Sequence, residues 1–122
     1  MTHSIKTARA RAFHRQNGRC CYCGRPVWLD DPVAFARTHG LTAAQAAEQR
    51  ATAEHLRARC DGGRGGDNIA AACWLCNRRR HQRREGALSP ERYRQHVVNR
   101  ANNGRWHPFP LASALSSRQP EQ

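Results

Sequence analysis

Four of the six cysteines in this chain fall into two pairs with zinc-ligand spacing: Cys20 with Cys23 in the run CCYC, and Cys73 with Cys76 in CWLC. Two thiolates three positions apart on a turn can face one ion, and two such turns give the four-sulfur tetrahedron that zinc accepts. The adjacent Cys21 leaves the register of the first pair open. Cys20 with Cys23 repeats the spacing of the second pair, whereas Cys21 with Cys23 leaves a single residue between them. The expected ligands are therefore Cys20, Cys23, Cys73 and Cys76, with Cys21 and Cys60 as packed or loop cysteines. Between and beside the pairs stand three polar elements in order: Glu54-His55, Asn68 after a glycine loop, and Asn77 directly after Cys76. Closing the metal site would bring these to one place.

The elements that position them read as a small α+β domain. Residues 4–16 suggest a basic helix stopped by Asn17-Gly18, a pair that favours positive φ. The first knuckle follows, with Gly24-Arg25-Pro26 suited to a tight turn. Asp30-Asp31-Pro32 is a helix start, with an acidic cap before proline at the first helical position. Thr42-Ala43-Ala44-Gln45 has the form of a capping box. Short strands are expected at 51–56 and 68–72, joined by a loop with Gly62, Gly63, Gly65 and Gly66. A helix is expected from Cys73 through the arginine run to Glu85, and a last one opens at Ser89-Pro90 and stops at Gly104. The expected organisation is a single domain over 1–108, with a core at 19–85, a helical insert at 31–50 and a C-terminal helix at 90–103. Residues 109–122, rich in Ser, Gln and Pro, are expected to be a disordered tail.

With 122 residues and many of the apolar ones alanine, the core must be modest, which makes a structural metal a natural substitute for buried area. The first residues lack the apolar run of a secretory signal, and no stretch reaches membrane-spanning length. A cytoplasmic location follows as an expectation, and with it metal ligation rather than a disulfide framework. The formal charge is +12, carried almost wholly by arginine, since Lys6 is the only lysine. Such a balance is the electrostatic footprint of a phosphate-backbone binder, and arginine adds bidentate phosphate recognition. Nucleic acid is the expected partner. Oligomeric state is not legible.

The runs ATAEHL, RCDGGRGGDN and CWLCNRRR, in that order and flanked by the knuckles, resemble the HNH endonuclease family with its ββα-metal (His-Me finger) fold. The resemblance covers residues 19–84, and knuckles of this kind flank many phage and bacterial members. It implies a divalent-metal-dependent endonuclease that hydrolyses phosphodiester bonds in DNA. His55 would be the general base, because a neutral imidazole can take a proton from water at physiological pH. Glu54 and Asn77 would hold the catalytic divalent ion, which neutralises phosphate charge and binds the leaving oxygen. Asn68 would orient the histidine or brace the hairpin.

Three positions depart from the common pattern. Glu54 stands where aspartate is usual, which moves the carboxylate by about 1.5 Å, one C–C bond. Asn77 stands where histidine is frequent, and an amide oxygen favours magnesium or manganese. Arg80 replaces a common lysine, and His81, one turn beyond Asn77, offers an extra ligand. Arg78, Arg79, Arg80, Arg83 and Arg84 are the expected phosphate contacts. Two rival readings exist: a zinc-stabilised nucleic-acid-binding module without cleavage, and a zinc-dependent protein-interaction domain, which leaves the positive charge unexplained.

Overall fold

In the computed structural model, residues 4–57 and 68–112 are described. Each helix opens on a side chain that accepts one of the backbone N–H groups its first turn leaves without a partner. Ser4 caps α1 (Ile5–Arg15), and Asp31 caps α2 (Pro32–His39) with proline in the first turn. Thr42 caps α3 (Ala43–Glu48), where Gln45 returns the bond to complete the capping box. The fourth helix, α4 (Trp74–His81), is capped by sulfur: Cys73 Sγ accepts from the N–H of Cys76 at 3.4 Å. Ser89 caps α5 (Pro90–Asn102), again with proline in the first turn.

Between α3 and α4 run two antiparallel strands, β1 (Ala51–His55) and β2 (Ile69–Cys73), with Ala51 opposite Cys73 and His55 opposite Ile69. All five residues of β2 are buried, and three are alanines that let helices approach closely. The outer edge of β2 is closed by a side chain rather than by a third strand. Gln16, just past α1, donates from Nε2 to the Ala71 carbonyl (2.8 Å) and accepts the Ala71 N–H on Oε1 (2.9 Å), as a neighbouring peptide would. On the same edge the Cys21 N–H donates to the Ala71 carbonyl as well, and Arg15 caps the Ile69 carbonyl. On the other side, Trp28 bridges to Arg50 and accepts the N–H of Ala51.

The core is small and aromatic. Tyr22, Leu75, Tyr93, Val97 and Trp106 cluster with Val27 and the buried cysteines. Tyr93 meets Tyr22 edge to face at 4.8 Å, and its hydroxyl donates to the Cys76 carbonyl at 2.6 Å. The molecule is thus a small mixed α+β structure around a two-stranded sheet, and no helix among the described residues is long and apolar enough to cross a membrane.

Two expectations differ from what is observed. The helix expected to run to Glu85 ends at His81 with Gln82 as its C-cap, so Arg83 and Arg84 lie beyond it. The run of bulky arginines offers no apolar stripe to hold a further turn onto the core. The segment expected to begin a disordered tail is packed as far as it is described: Phe109 and Leu111 are 5% and 1% exposed. Arg25 lies over the Phe109 ring at 5.6 Å, and Ala112 sits beside Gly40, the left-handed residue that ends α2. The glycine-rich loop with Cys60 lies outside the described residues, as does 113–122.

Candidate functional site

The first knuckle is a tight loop closed by the Cys20 N–H to the Arg25 carbonyl (2.9 Å) and the Gly24 N–H to the Cys20 carbonyl (3.1 Å). Gly24 turns the chain at φ +76°, a conformation that would strain a residue with a Cβ. The second knuckle is the junction of β2 with α4, so Cys73 ends a strand and Cys76 lies in the first helical turn. The Sγ atoms of Cys20, Cys23, Cys73 and Cys76 all lie within 4.8 Å of one another, and Cys23 and Cys73 are 4.0 Å apart. A tetrahedral zinc with bonds near 2.3 Å spaces its sulfurs about 3.8 Å apart, so a modest inward movement closes the shell.

The surroundings also suit charged sulfur. The Tyr22 N–H points at Cys20 Sγ (3.4 Å) and the Trp106 indole N–H at Cys76 Sγ (3.2 Å). Burial opposes ionisation of Cys20, yet hydrogen bonds from the neighbouring thiols outweigh it and bring its pKa well below the usual thiol value. The same shared protons hold Cys73 and Cys76 well above it. A dication can replace those protons. Burial lowers the pKa of Arg25, an effect that ionisation of the neighbouring sulfurs of Cys23, Cys73 and Cys76 would oppose. Cys21 lies outside the four-sulfur group; its hydrogen bond to Cys20 and its burial raise its pKa and keep it a thiol. The four sulfurs are positioned to hold a metal such as zinc.

One turn beyond this cluster, α4 lies against β1. Strand alternation places Glu54 and His55 on opposite faces: Glu54 is 1% exposed, and His55 is exposed. The Glu54 carboxylate is fully engaged. Oε2 accepts from the Tyr22 hydroxyl (2.8 Å) and from Arg80 Nη1 (2.8 Å), while Oε1 meets His81 Nε2 at 2.9 Å. A divalent ion with bonds near 2.1 Å holds neighbouring ligand atoms about 3.0 Å apart, so Oε1 and His81 Nε2 already stand at a ligand-pair spacing. Asn77 donates from Nδ2 to Thr52 Oγ1 (3.0 Å). Because the Thr52 hydroxyl spends its proton on the Ala72 carbonyl (2.7 Å), the amide must present nitrogen there, which leaves Oδ1 as the atom Asn77 can offer a cation. Asn68 braces the hairpin, with its amide bonded both to the Arg57 N–H (2.9 Å) and to the Arg57 carbonyl (2.8 Å).

Arg80 does not stand where a phosphate could reach it. It is buried, and its donors go to Glu54, the His55 and Leu56 carbonyls, and the Leu88 carbonyl. A guanidinium has five N–H groups, and all are spent inside the protein. Arg79 is half-buried, bonded to the Trp106 carbonyl (2.6 Å) and stacked on that ring. Arg78 lies over the half-exposed Trp74 ring at 4.5 Å, and Arg84 faces solvent. Tyr22 was missed by sequence reasoning: as a core tyrosine inside a knuckle it gave no sign of touching Glu54, 32 positions away.

His55, Arg80 and His81 line a cleft of about 480 Å³ together with Arg57 and residues 87–90, the last of which opens α5. Comparison with models of known protein families, with curated proteins and with solved structures finds no match to this chain.

Proposed function

We propose that the protein is a divalent-metal-dependent endonuclease of the HNH type, hydrolysing phosphodiester bonds in DNA within a frame pinned by zinc on Cys20, Cys23, Cys73 and Cys76. The observation that carries this reading is that two histidines, the exposed His55 and His81, line one cleft, and that His81 Nε2 stands 2.9 Å from Oε1 of the buried Glu54 behind it, a ligand-pair spacing. His55 takes a proton from a water molecule, whose oxygen attacks phosphorus as the 3′ oxygen leaves. Glu54, His81 and the Asn77 amide oxygen would hold the cation, magnesium or manganese by their chemistry. Bound there, it neutralises phosphate charge and assists the leaving oxygen. The high positive charge and the exposed Arg84 draw the backbone in, with the partly buried Arg78, Arg79 and Arg83 beside it.

A second reading, a nucleic-acid-binding module without cleavage, is favoured by one observation: the Arg80 guanidinium neutralises the very carboxylate that would bind the cation. Plasmid nicking with magnesium or manganese, on duplex and single-stranded DNA, separates the two. Wild type should nick only with a divalent ion, and purified His55→Ala should not nick at all. Unchanged cutting by His55→Ala overturns the base assignment. Salt-sensitive binding with no cutting under any divalent ion gives the binding module.

A further inference from the structure

Glu54 divides its two oxygens between different tasks. Oε2 faces inward and takes two donors, the Tyr22 hydroxyl and Arg80 Nη1, each at 2.8 Å. Oε1 faces the imidazole of His81, whose side chain is 47% exposed. Neither inner donor is free to move. Arg80 is anchored by further bonds to the carbonyls of His55, Leu56 and Leu88. Tyr22 is wedged edge to face against Tyr93, whose hydroxyl is bound to the Cys76 carbonyl. The Tyr22 backbone belongs to the first knuckle, and its N–H points at Cys20 Sγ.

We propose that Tyr22 and Arg80 are positioning residues for a divalent cation: by gripping Oε2 they fix Oε1 beside His81 Nε2, and Tyr22 ties that pair mechanically to the four-cysteine cluster. The inference rests on the reading of Glu54 and His81 as cation ligands, and it adds what holds them. A carboxylate left to rotate would lose entropy on binding the ion; one already clamped by an inner oxygen does not. Outer donors to a ligating carboxylate typically affect metal affinity by about 10- to 100-fold. The clamp also couples two metals of different duty, because deforming the first knuckle moves the Tyr22 hydroxyl.

The test is a manganese titration of the intact, zinc-loaded protein followed by electron paramagnetic resonance, wild type against Tyr22→Phe. Cleavage is measured over the same manganese range. Tyr22→Phe removes one hydroxyl and keeps the ring against Tyr93. It should retain zinc and melting temperature, bind manganese about tenfold more weakly, and recover most of its cleavage rate at saturating manganese. Arg80→Lys keeps the charge but not the fork that reaches several carbonyls, and should weaken manganese binding as well. Equal manganese affinity in wild type and Tyr22→Phe overturns the proposal. So does a Tyr22→Phe loss that tracks loss of zinc, since Tyr22 would then serve the fold alone. Should wild type bind manganese and cut nothing, the nuclease reading falls, while the affinity comparison still decides the positioning role. Should wild type bind no manganese, both fall.

Discussion

His55 and Glu54 are neighbours in the chain with opposite situations, and substitutions at the two must be read differently. His55 is exposed, so His55→Ala should shift unfolding free energy by no more than about 0.5 kcal/mol while removing metal-dependent nicking. Glu54 is the partner of a buried guanidinium, with side-chain exposures of 1% and 5% across the pair. Glu54→Ala leaves Arg80 charged and without that partner, which should cost about 3–5 kcal/mol in a chemical-denaturation measurement. Lost activity in that variant therefore reports folding as much as metal binding, and Tyr22→Phe is the cleaner probe. The opposite orientation of Glu54 and His55 was legible from strand periodicity alone. The burial of Arg80 was not, because an arginine in a run of arginines normally marks a solvated face, and only the tertiary carbonyls of His55, Leu56 and Leu88 make this one a core residue.

At the scale of elements, local chemistry announced the helices well. Asp31-Pro32, Thr42 with Gln45, and Ser89-Pro90 each cap a helix where the side chains imply one, because capping is settled within four residues. The strands were legible within a residue, with Cys73, expected to open the helix, closing β2 instead. What stayed hidden depends on distant partners. Gln16 reads as a polar helix end, yet it closes the edge of β2 at Ala71, 55 positions on. Gln16→Ala should leave the Ala71 N–H without its partner and lower stability by about 1–3 kcal/mol, read from thermal or denaturant unfolding. Phe109 and Leu111 sit in a short proline-interrupted run with no helical or strand periodicity to betray their burial. Leu111→Ala should cost about 2–5 kcal/mol by the same measurement, a loss that a free tail would not show.

For the whole molecule, the four sulfurs are the point where both knuckles, the sheet and two helices meet. Removing the proposed zinc with a strong chelator should abolish the cooperative melting transition, and Cys23→Ser or Cys76→Ser should do the same, because metal binding and folding are coupled in so small a core. A variant with full zinc content and unchanged melting would show the wrong ligands were chosen. The net charge of +12 predicts DNA affinity that falls steeply with salt, and Arg84→Gln should reduce the log–log salt slope by about one unit if Arg84 meets a phosphate. The cluster has one more consequence, and it is optical. Trp106 is 5% exposed and aims its indole N–H at Cys76 Sγ from 3.2 Å. Its excited state therefore senses whether that sulfur is metal-bound, protonated or oxidised. The chain thus carries a fluorophore beside the four-sulfur site, and cobalt loaded there, unlike spectroscopically silent zinc, should quench it.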